Sequence, residues 1–340
     1  MADRSARLVS TDTVVIDPPA SARRATVIEI LAWLAVATMG MVALSQAIGR
    51  TLLPPMYALQ ATTPFLLAPA VPVAVVASLR GRHLMALTCV GIAAALLWLT
   101  WPVIAHDDPL SAPASAPTFT LTHSNAYFRN TSPDAAAEAL LAQWPDVLAV
   151  TEQSPQLEAA LAAGGVGERY AFRAGSSSER RNGVALYSRF PFIEATVRDI
   201  GGQPGIDATI DVGGIAVRVL VVHPLPGVDT TDLSELERGL PAIDAMGRAD
   251  RTPTVIVGDF NASRWHPAFR RLLSHWTDVH ESLGQGFSVS WPENKIVPPF
   301  VRLDHALMDD GVTALAAHDV DVPGSDHRGF TVILATRVSG

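Results

Sequence analysis

The sequence predicts an α/β (α+β) four-layer sandwich, with two packed mixed β-sheets flanked by helices, preceded by three transmembrane helices. Two observations predict this fold class. Most of the hydrophobic excess lies before residue 106, in runs that are long enough to span a bilayer. From residue 118 onward the pattern changes to many short strands with few helices in mixed order, which favours a layered sandwich over a doubly wound parallel sheet.

Three apolar runs predict a membrane anchor. They cover residues 25–48, 56–79 and 83–105, and tryptophans near the end of the third run suit the membrane interface. The alternative to membrane spans is three buried helices in the core of a soluble protein. Apolar runs this long with so few charges are rarely buried in water-soluble folds. A cleaved signal peptide fits the two arginines before the first run, but that run is long and two more follow it.

The arginines that flank these runs predict the orientation of the chain. Residues 1–24 are polar, contain four arginines and predict a disordered cytoplasmic tail. Arg80 and Arg82 lie between the second and third runs, whereas Arg50 is alone between the first and second. The positive-inside rule then places the N-terminus in the cytoplasm and everything after the third run outside.

A linker rich in Pro, Ala and Ser, residues 106–117, follows the anchor. Its composition predicts an extended, semi-rigid tether, which reaches on the order of 35 Å at about 3.1 Å per residue. The domain of residues 118–340 is therefore expected to stay close to the membrane surface.

The net charge of residues 106–340 indicates which classes of partner they can bind. Residues 106–340 contain 18 basic and 29 acidic side chains, a net charge of −11. A nucleic-acid surface needs a basic footprint to neutralise phosphates, so no nucleic-acid partner is expected. Cys89 is the sole cysteine, which excludes an intrachain disulfide but indicates no particular compartment.

Alternating and helical patterns predict the elements of this domain. Strands are expected at residues 119–125, 146–152, 183–188, 215–223, 254–257, 302–307 and 329–334, and helices at residues 132–144 and 232–249. The stretch from Thr254 to Ala262 is central, because a buried strand ends at Gly258 and is followed at once by Asp259 and Asn261. Residues two apart project to one side of a strand, so this carboxylate and amide would face one site.

Polar side chains that suit phosphate or metal chemistry recur where the predicted strands stop. They are Asn125, Glu152, His223, Asp259, Asn261, Asp304, Asp326 and His327. Each has a structural alternative, such as a turn cap, a surface acid, a satisfied strand-end histidine or a carboxylate paired with Arg302. Eight such positions at strand ends, where a rigid scaffold gathers its loops, predict a common catalytic site.

Six segments in a fixed order carry a family resemblance. They are Asn125, the Glu152 that ends residues 146–152, residues 183–191, Gly258-Asp-Phe-Asn261, Arg302-Leu-Asp304 and Ser325-Asp-His-Arg328. With them, residues 118–340 resemble the endonuclease/exonuclease/phosphatase superfamily, whose members include deoxyribonuclease I, abasic-site endonucleases, inositol polyphosphate phosphatases and neutral sphingomyelinases. The three-span N-terminus further resembles the VanJ-type membrane proteins linked to teicoplanin resistance.

The resemblance implies a metal site. Glu152 would hold a hard divalent cation, Mg²⁺ with Mn²⁺ as an alternative, and Asn125 and Asp326 would lie in or beside its shell. Mg²⁺ keeps several waters and binds through one or two carboxylates plus substrate phosphate, so a sparse set of protein ligands is expected.

The resemblance also implies the catalytic roles. Asp259 would orient and deprotonate the attacking water, and Asn261 would fix the geometry of the phosphoryl centre. His327, poised by Asp304, and His223 would donate hydrogen bonds to phosphoryl oxygens as charge builds up. Positioning and charge neutralisation dominate phosphoryl transfer, and these side chains suit both.

Some positions depart from the nuclease members or have no assigned role. The strand region 181–188 lacks an extra acid, although Asn182 offers a polar contact, and residues 126–130 lack the Asn-x-Asn pattern of abasic-site enzymes. Arg189 has a helper role or a structural one, and His305 is expected to point into the opposite layer. No role is assigned to the remaining loop and helix histidines, His106, His266, His275, His280 and His318.

These observations lead to one functional hypothesis and two alternatives. The hypothesis is a bacterial membrane-anchored phosphohydrolase that acts outside the cell membrane on a lipid-linked phosphate. The VanJ-type resemblance implies a polyprenyl (undecaprenyl) pyrophosphate of cell-wall synthesis. Trp291 and Phe300, in a loop of residues 287–300, either touch this lipid or pack internally. The alternatives are a tethered extracellular nuclease and a non-catalytic surface binding factor with a degenerate site.

Overall fold

The computed structural model describes residues 20–105 and 111–337, and its first part is a set of apolar helices. These are α1 (Ala20–Ile48), α2 (Pro54–Ala61), α3 (Thr63–Leu67), α4 (Ala70–Leu79) and α5 (His83–Ile104). Helix α1 thus begins inside the predicted tail, whose residues 1–19 lie outside the described part, as do linker residues 106–110.

Two of these helices are long and apolar enough to cross a membrane. They are Val27–Ile48 and His83–Ile104, each 22 residues long. The second predicted span is not one straight helix, because α2 and the segment Thr63–Leu79 meet at an angle of 83°. Pro64 stands in the first turn of α3, where its missing N–H cannot extend α2 across the break. The described helices therefore provide two candidate spans, or three if the bent pair counts as one.

The contacts at the two ends of the anchor give it a direction. At one end, Arg82 at the start of α5 forms an ion pair with Glu29 near the start of α1. At the other end, Gln46 in the last turn of α1 donates a hydrogen bond of 2.7 Å to the carbonyl of Trp265 in the following domain. The start of α1 and the Arg80–Arg82 turn therefore lie together, at the end of the anchor away from this contact.

The domain after residue 117 is built from twelve strands in two mixed six-stranded sheets. The first sheet has the order β11 (Val312–Val320), β12 (Gly329–Thr336), β1 (Thr118–Asn125), β2 (Val147–Thr151), β4 (Val184–Ser188) and β3 (Phe172–Ser176). The second has the order β5 (Phe192–Ile200), β6 (Gln203–Val212), β7 (Ile215–Val222), β8 (Thr254–Asp259), β10 (Asp304–Met308) and β9 (Thr277–Asp278).

Helices cover the outer faces of both sheets. The first sheet packs against α6 (Pro133–Ala142), α7 (Pro155–Ala163) and α8 (Val166–Arg169), and the second against α9 (Thr230–Gly247) and α10 (Pro267–Leu272). The short helix α11 (Val279–Ser282) instead contributes Val279 to the core between the sheets. Between the sheets, inward side chains such as Leu121, Val219, Val257 and Val332 form one buried core. Their alternation with outward residues is the period-two pattern of two sheets packed face to face. The predicted four-layer sandwich is confirmed.

The topology brings several strand ends to one edge of the sandwich. Strands β1 and β2 are parallel, and so are β7 and β8, so each pair ends on the same side. The antiparallel strand β10 begins there, because Asp304 is paired with Asp259 at the end of β8. Strand β12 also begins there, since Phe330 pairs with His123 near the end of β1. This edge is where the predicted polar residues follow or precede their strands.

Candidate active site

Asn125 and Asp259 join the two sheets at this edge. The Asn125 side-chain amide donates a hydrogen bond of 2.9 Å to Oδ2 of Asp259, and its carbonyl oxygen accepts one from the Tyr127 backbone N–H at 3.0 Å. Because Asn125 ends β1 and Asp259 ends β8, this contact crosses from the first sheet to the second. Asp259 is buried, and burial raises the pKa of its carboxyl.

Asp304 orients His327 beside this carboxylate. Nδ1 of His327 lies 2.8 Å from Oδ2 of Asp304, and its Nε2 lies 3.7 Å from Oδ2 of Asp259. Burial alone would lower the pKa of His327, but the carboxylates of Asp304 and Asp259 raise it to about 10. Burial would likewise raise the pKa of Asp304, but His327 lowers it to about 2. His327 is therefore a protonated donor at neutral pH.

His223 lies between Asp259 and Glu152. Its Nε2 lies 3.6 Å from Oδ2 of Asp259 and 3.7 Å from Oε1 of Glu152. Its other nitrogen, Nδ1, lies 3.1 Å from the carbonyl of Arg181, which makes Nδ1 the donor and turns Nε2 toward the two carboxylates. The second oxygen of Glu152 accepts a hydrogen bond of 3.0 Å from the Phe128 backbone N–H.

Asn261 is held against the same carboxylate by its backbone. Its backbone N–H donates a hydrogen bond of 2.7 Å to Oδ1 of Asp259, and its side-chain amide donates one of 2.8 Å to the carbonyl of Pro224. Asn261 and Glu152 both have left-handed backbones, with φ of 47° and 54°. Non-glycine residues rarely adopt this conformation, and it concentrates at functional sites, where the surrounding structure enforces it.

Gly258 permits the close approach of β7 and β8 that sets up this turn. A Cβ at this position would meet the carbonyl oxygen of Val222 at 1.9 Å. Only glycine therefore allows the two parallel strands to stay paired up to Gly258, directly before Asp259. A glycine is therefore required before Asp259 on steric grounds. The sequence pattern alone indicated only that a strand ends there.

Asp326 lies at the rim of this cluster. Its carboxylate is 3.9 Å from Nζ of Lys295, and its side chain is about one fifth exposed. The next residue, His327, points inward, with its backbone N–H bonded to the hydroxyl of Ser325. Nζ of Lys295 also lies 5.4 Å from the ring centroid of Tyr127. Asp326 is therefore more open to solvent than the buried Asp259, at the mouth of the site.

His123 belongs to this site and was absent from the sequence prediction. Its Nδ1 lies 3.7 Å from Oδ1 of Asp304, and neither atom has a hydrogen-bond partner among the described residues. Burial lowers its pKa to about 4, so the ring is neutral. The sequence signal was its place two residues before Asn125, on the same inward face of β1.

The cluster has the chemistry of a divalent-cation site. Ligand atoms of Asp259, Asp304 and His327 lie within 4.8 Å of one another, and Oδ1 of Asp304 is a buried acceptor without a hydrogen-bond partner in the described chain. Carboxylate oxygens are what Mg²⁺ and Mn²⁺ prefer, so the residues fit such an ion. This trio differs from the predicted ligands Glu152, Asn125 and Asp326, of which the first two adjoin it through His223 and Asp259.

The sequence matches one family model over most of this domain. The model of the endonuclease/exonuclease/phosphatase family matches residues 123–327, which is more than half of the chain. The chain belongs to this family. Enzymes of the endonuclease/exonuclease/phosphatase family are metal-dependent hydrolases of phosphodiester bonds, in agreement with the carboxylate and imidazole cluster.

Solved structures confirm that the fold is that of the family. The D. rerio TDP2 in complex with a single-strand DNA product has a TM-score of 0.55 at 18% identity, covering 64% of this chain and 99% of its own. Truncated Caenorhabditis elegans TDP2 has a TM-score of 0.53 at 14% identity, with 64% and 97% covered. The endonuclease/exonuclease/phosphatase from Beutenbergia cavernae has a TM-score of 0.51 at 18% identity, covering 65% of this chain and 72% of its own. No curated protein matches the sequence.

The remaining sequence predictions lie outside the cluster. Arg189 forms an ion pair of 2.8 Å with Asp146, a structural role at the base of β2. Asn182 accepts a hydrogen bond from Ser178 on an exposed turn. The prediction that His305 faces the opposite layer is confirmed, because its Nδ1 lies 2.6 Å from Asp278 and its ring packs against Phe269.

Proposed function

We propose that this member of the family is a membrane-anchored, metal-dependent phosphohydrolase whose substrate is a phosphorylated lipid. Within that class we propose a polyprenyl (undecaprenyl) pyrophosphate, from which it would release phosphate. The observation that carries the proposal is the direct packing of the catalytic domain on apolar helices long enough to cross a bilayer. A hydrolytic site held at a membrane meets lipid substrates at high effective concentration.

Polar contacts support a fixed attachment of the domain rather than a loose tether. Arg270 donates to the backbone carbonyl of Gln46 at 3.2 Å, and Arg271 donates to that of Gly49 at 2.8 Å. Nε2 of His266 donates to the carbonyl of Tyr57 at 3.1 Å. Apolar residues of the domain, Trp265 among them, share one buried cluster with the anchor helices. The orientation of the active site relative to the anchor is thereby restricted.

We also propose that the domain lies on the extracytoplasmic face of a bacterial cell membrane. The Arg80–Arg82 turn lies beside Glu29 at one end of the anchor, and the domain contacts Gln46 at the other end. Arginines flanking a span favour the cytoplasmic side. This orientation requires that the segment Thr63–Leu79 crosses the bilayer, as its bent pairing with α2 permits.

The geometry suggests how the side chains divide the reaction. Asp259 would accept the proton of the attacking water, because it is a buried carboxylate fixed by hydrogen bonds from Asn125 and Asn261. His327, protonated and oriented by Asp304, would donate a hydrogen bond to a phosphoryl oxygen as negative charge develops.

A divalent cation, when bound, would neutralise charge on the phosphoryl oxygens. We propose Glu152 as its principal protein ligand. Nδ1 of His327 is already engaged by Oδ2 of Asp304 at 2.8 Å, which orients His327 as a hydrogen-bond donor of the site. Glu152 borders the cluster through His223, and its left-handed backbone holds the carboxylate at the end of β2.

One assay tests the proposal directly. The full-length chain in detergent would be supplied with Mg²⁺ and an isoprenoid pyrophosphate, and phosphate release would be measured with and without EDTA. Asp259→Asn should abolish turnover, whereas the matched control Asp310→Asn, at an exposed carboxylate, should not. Equal phosphate release from Asp259→Asn and the unsubstituted chain would reject the proposal.

A tethered nuclease is the second candidate. The observation that favours it is the similarity of fold to the D. rerio TDP2 complexed with a single-strand DNA product. Against it stands the net charge of −11 over residues 106–340, which repels a polyanion. Incubation with single-stranded and plasmid DNA under the same conditions separates the two, because a nuclease would cleave DNA and leave the lipid pyrophosphate intact.

We propose further that the reaction contributes to glycopeptide resistance, in line with the resemblance of the anchor to VanJ-type proteins. Expression of the chain in a teicoplanin-sensitive bacterium should raise the inhibitory concentration, and the Asp259→Asn variant should not. Resistance from the inactive variant would instead favour the non-catalytic binding factor.

A further inference from the structure

A cavity of about 760 Å³ lies between the anchor and the catalytic domain, and none of its lining residues belongs to the carboxylate cluster. One wall belongs to the anchor and includes Phe65, Ala68 and Pro72. The other wall belongs to the domain and includes Trp265, Phe287, Val289 and Phe300. The volume falls within the range of sites that take small organic ligands, which is about 300–1,000 Å³.

Two exposed aromatic side chains stand on opposite walls of this cavity. Phe65 on the anchor is 63% exposed and Phe287 on the domain is 52% exposed. Phe287 stacks on Trp265, with ring centroids 6.1 Å apart, so its position is fixed by packing. Exposed large apolar side chains that converge from two units mark a binding surface for another apolar group.

The charged groups that line the cavity are already paired with one another or with neighbours. Arg264 forms a bidentate ion pair with Glu281, and His305 bonds Asp278. Arg302 bonds Asp319 on the strand β11. The cavity therefore presents no uncompensated charge to an anionic headgroup, and its match is with an uncharged apolar chain.

We propose that this cavity binds the apolar chain of a membrane lipid, which enters from the bilayer between the anchor and the domain. The anchor wall lies on the segment Thr63–Leu79, which is part of the apolar anchor, so lipid chains are the apolar molecules present there at high concentration. The chain would fill the contact between the two units and bury both aromatic rings. The proposal rests on the membrane placement of the proposed function but not on its catalysis.

Photolabelling tests the proposal with the full-length chain in nanodiscs. One probe is a phospholipid with a diazirine near the end of one acyl chain, and the other is a polyprenyl phosphate with a diazirine on its chain. After irradiation, mass spectrometry locates the adducts. We expect adducts on the domain wall, at Trp265, Phe287 or Val289, because a chain tip reaches these residues only inside the cavity.

Two substitutions narrow the cavity from opposite walls. Ala68→Trp fills it from the anchor and Val289→Phe from the domain, and either should remove most domain-wall adducts. Ala35→Trp places the same ring on an exposed position of α1 and should leave them unchanged. Labelling by both probes identifies a general lipid chain, and labelling by the polyprenyl probe alone identifies a chain of that type; both support the proposal.

Three results would overturn it. The first is a set of adducts confined to the anchor helices in the unsubstituted chain. The second is domain-wall labelling that neither narrowing variant reduces. The third is a dimer in nanodiscs in which a second copy covers Phe287 and excludes the probe. Because these measurements need no turnover, a failure of lipid-chain binding is distinguishable from a failure of the hydrolase, which phosphate release reports separately.

Discussion

Nδ1 of His123 lies 3.7 Å from Oδ1 of Asp304, while the other oxygen of Asp304 is bonded to His327 at 2.8 Å. The carboxylate thus stands between two imidazoles, one neutral and one protonated, because burial lowers the pKa of His123 to about 4 and the carboxylates raise that of His327 to about 10. We therefore expect His123 to position Asp304 and not to contact the substrate itself.

Substitution of His123 should therefore reduce turnover less than substitution of His327. His123→Phe keeps a ring that packs on Phe330 but removes the polar neighbour of Asp304. We expect its kcat to fall on the order of tenfold and that of His327→Phe by about 10²–10³-fold, the range for a lost transition-state donor. Hydrolysis of a soluble aryl phosphodiester measures both rates, with the exposed His318→Phe as control. A kcat for His123→Phe as low as that for His327→Phe would contradict the assignment.

Metal binding distinguishes the two candidate ligand sets. If Glu152 is the principal ligand, Glu152→Gln should weaken Mn²⁺ binding on the order of 10–100-fold, as for other changes at metal sites. His327→Asn should then leave the affinity within a few-fold, because His327 would serve as the hydrogen-bond partner of Asp304 and not as a ligand. Calorimetric titration of Mn²⁺ into each variant gives the affinities. The opposite ranking would place the ion among Asp259, Asp304 and His327.

Gln46 is expected to hold the anchor and the domain together. Its side-chain amide donates to the Trp265 carbonyl at 2.7 Å and to the Thr63 hydroxyl at 2.8 Å, and the residue is 1% exposed. Gln46→Leu would leave the Trp265 carbonyl without this donor, at a cost of about 1–3 kcal/mol.

Thermal unfolding of the full-length chain in detergent measures this effect. The apparent Tm of Gln46→Leu should fall, while Gln156→Leu, at an exposed position of α7, should leave it unchanged. An equal Tm for both variants would show that the domain does not depend on this contact with α1.

The sequence indicated the polar residues at strand ends, but it did not indicate His123 beside them. Asn125, Glu152, Asp259 and Asp304 could be found because each stands where a strand with clear alternation begins or ends, and the sheet topology brings those ends to one edge. His123 was missed because it lies inside β1, at an inward position where the alternation pattern leads one to expect an apolar side chain.

The arrangement of the anchor was predicted only in part. Hydropathy reports the length of an apolar run but not whether the helix in it is straight. The prolines were therefore the sequence feature that could have indicated the 83° bend between α2 and Thr63–Leu79. The docking of the domain on the anchor depends on pairs such as Gln46 and Trp265, which are 219 positions apart. The residues next to Gln46 and Trp265 in the sequence form no pattern that marks either one as a contact residue. Their contact could therefore not be inferred from local periodicity.

His266 makes this docking sensitive to acid. Its Nδ1 accepts from the Ser263 N–H at 2.9 Å and its Nε2 donates to the Tyr57 carbonyl at 3.1 Å, an arrangement that requires the neutral ring. Burial lowers the pKa of His266 to about 4 from its ordinary value of 6.5. The unfolded chain therefore takes up a proton more readily than the folded one. Stability from this group is fully present above pH 6.5 and decreases as the pH falls toward 4, by about 3 kcal/mol in total at about 1.4 kcal/mol per pKa unit.

The comparison with His266→Gln isolates this contribution. Glutamine offers a donor and an acceptor but does not titrate, and the two other buried histidines whose pKa is lowered, His123 and His280, respond alike in both proteins. Unfolding of the full-length chain in detergent would be followed at several values between pH 7 and pH 4.5. The unsubstituted chain should lose stability over this range more steeply than His266→Gln, so that the difference between them shrinks or reverses with acid. Parallel curves would mean that His266 keeps an ordinary pKa and that the contact with Tyr57 does not select the neutral ring.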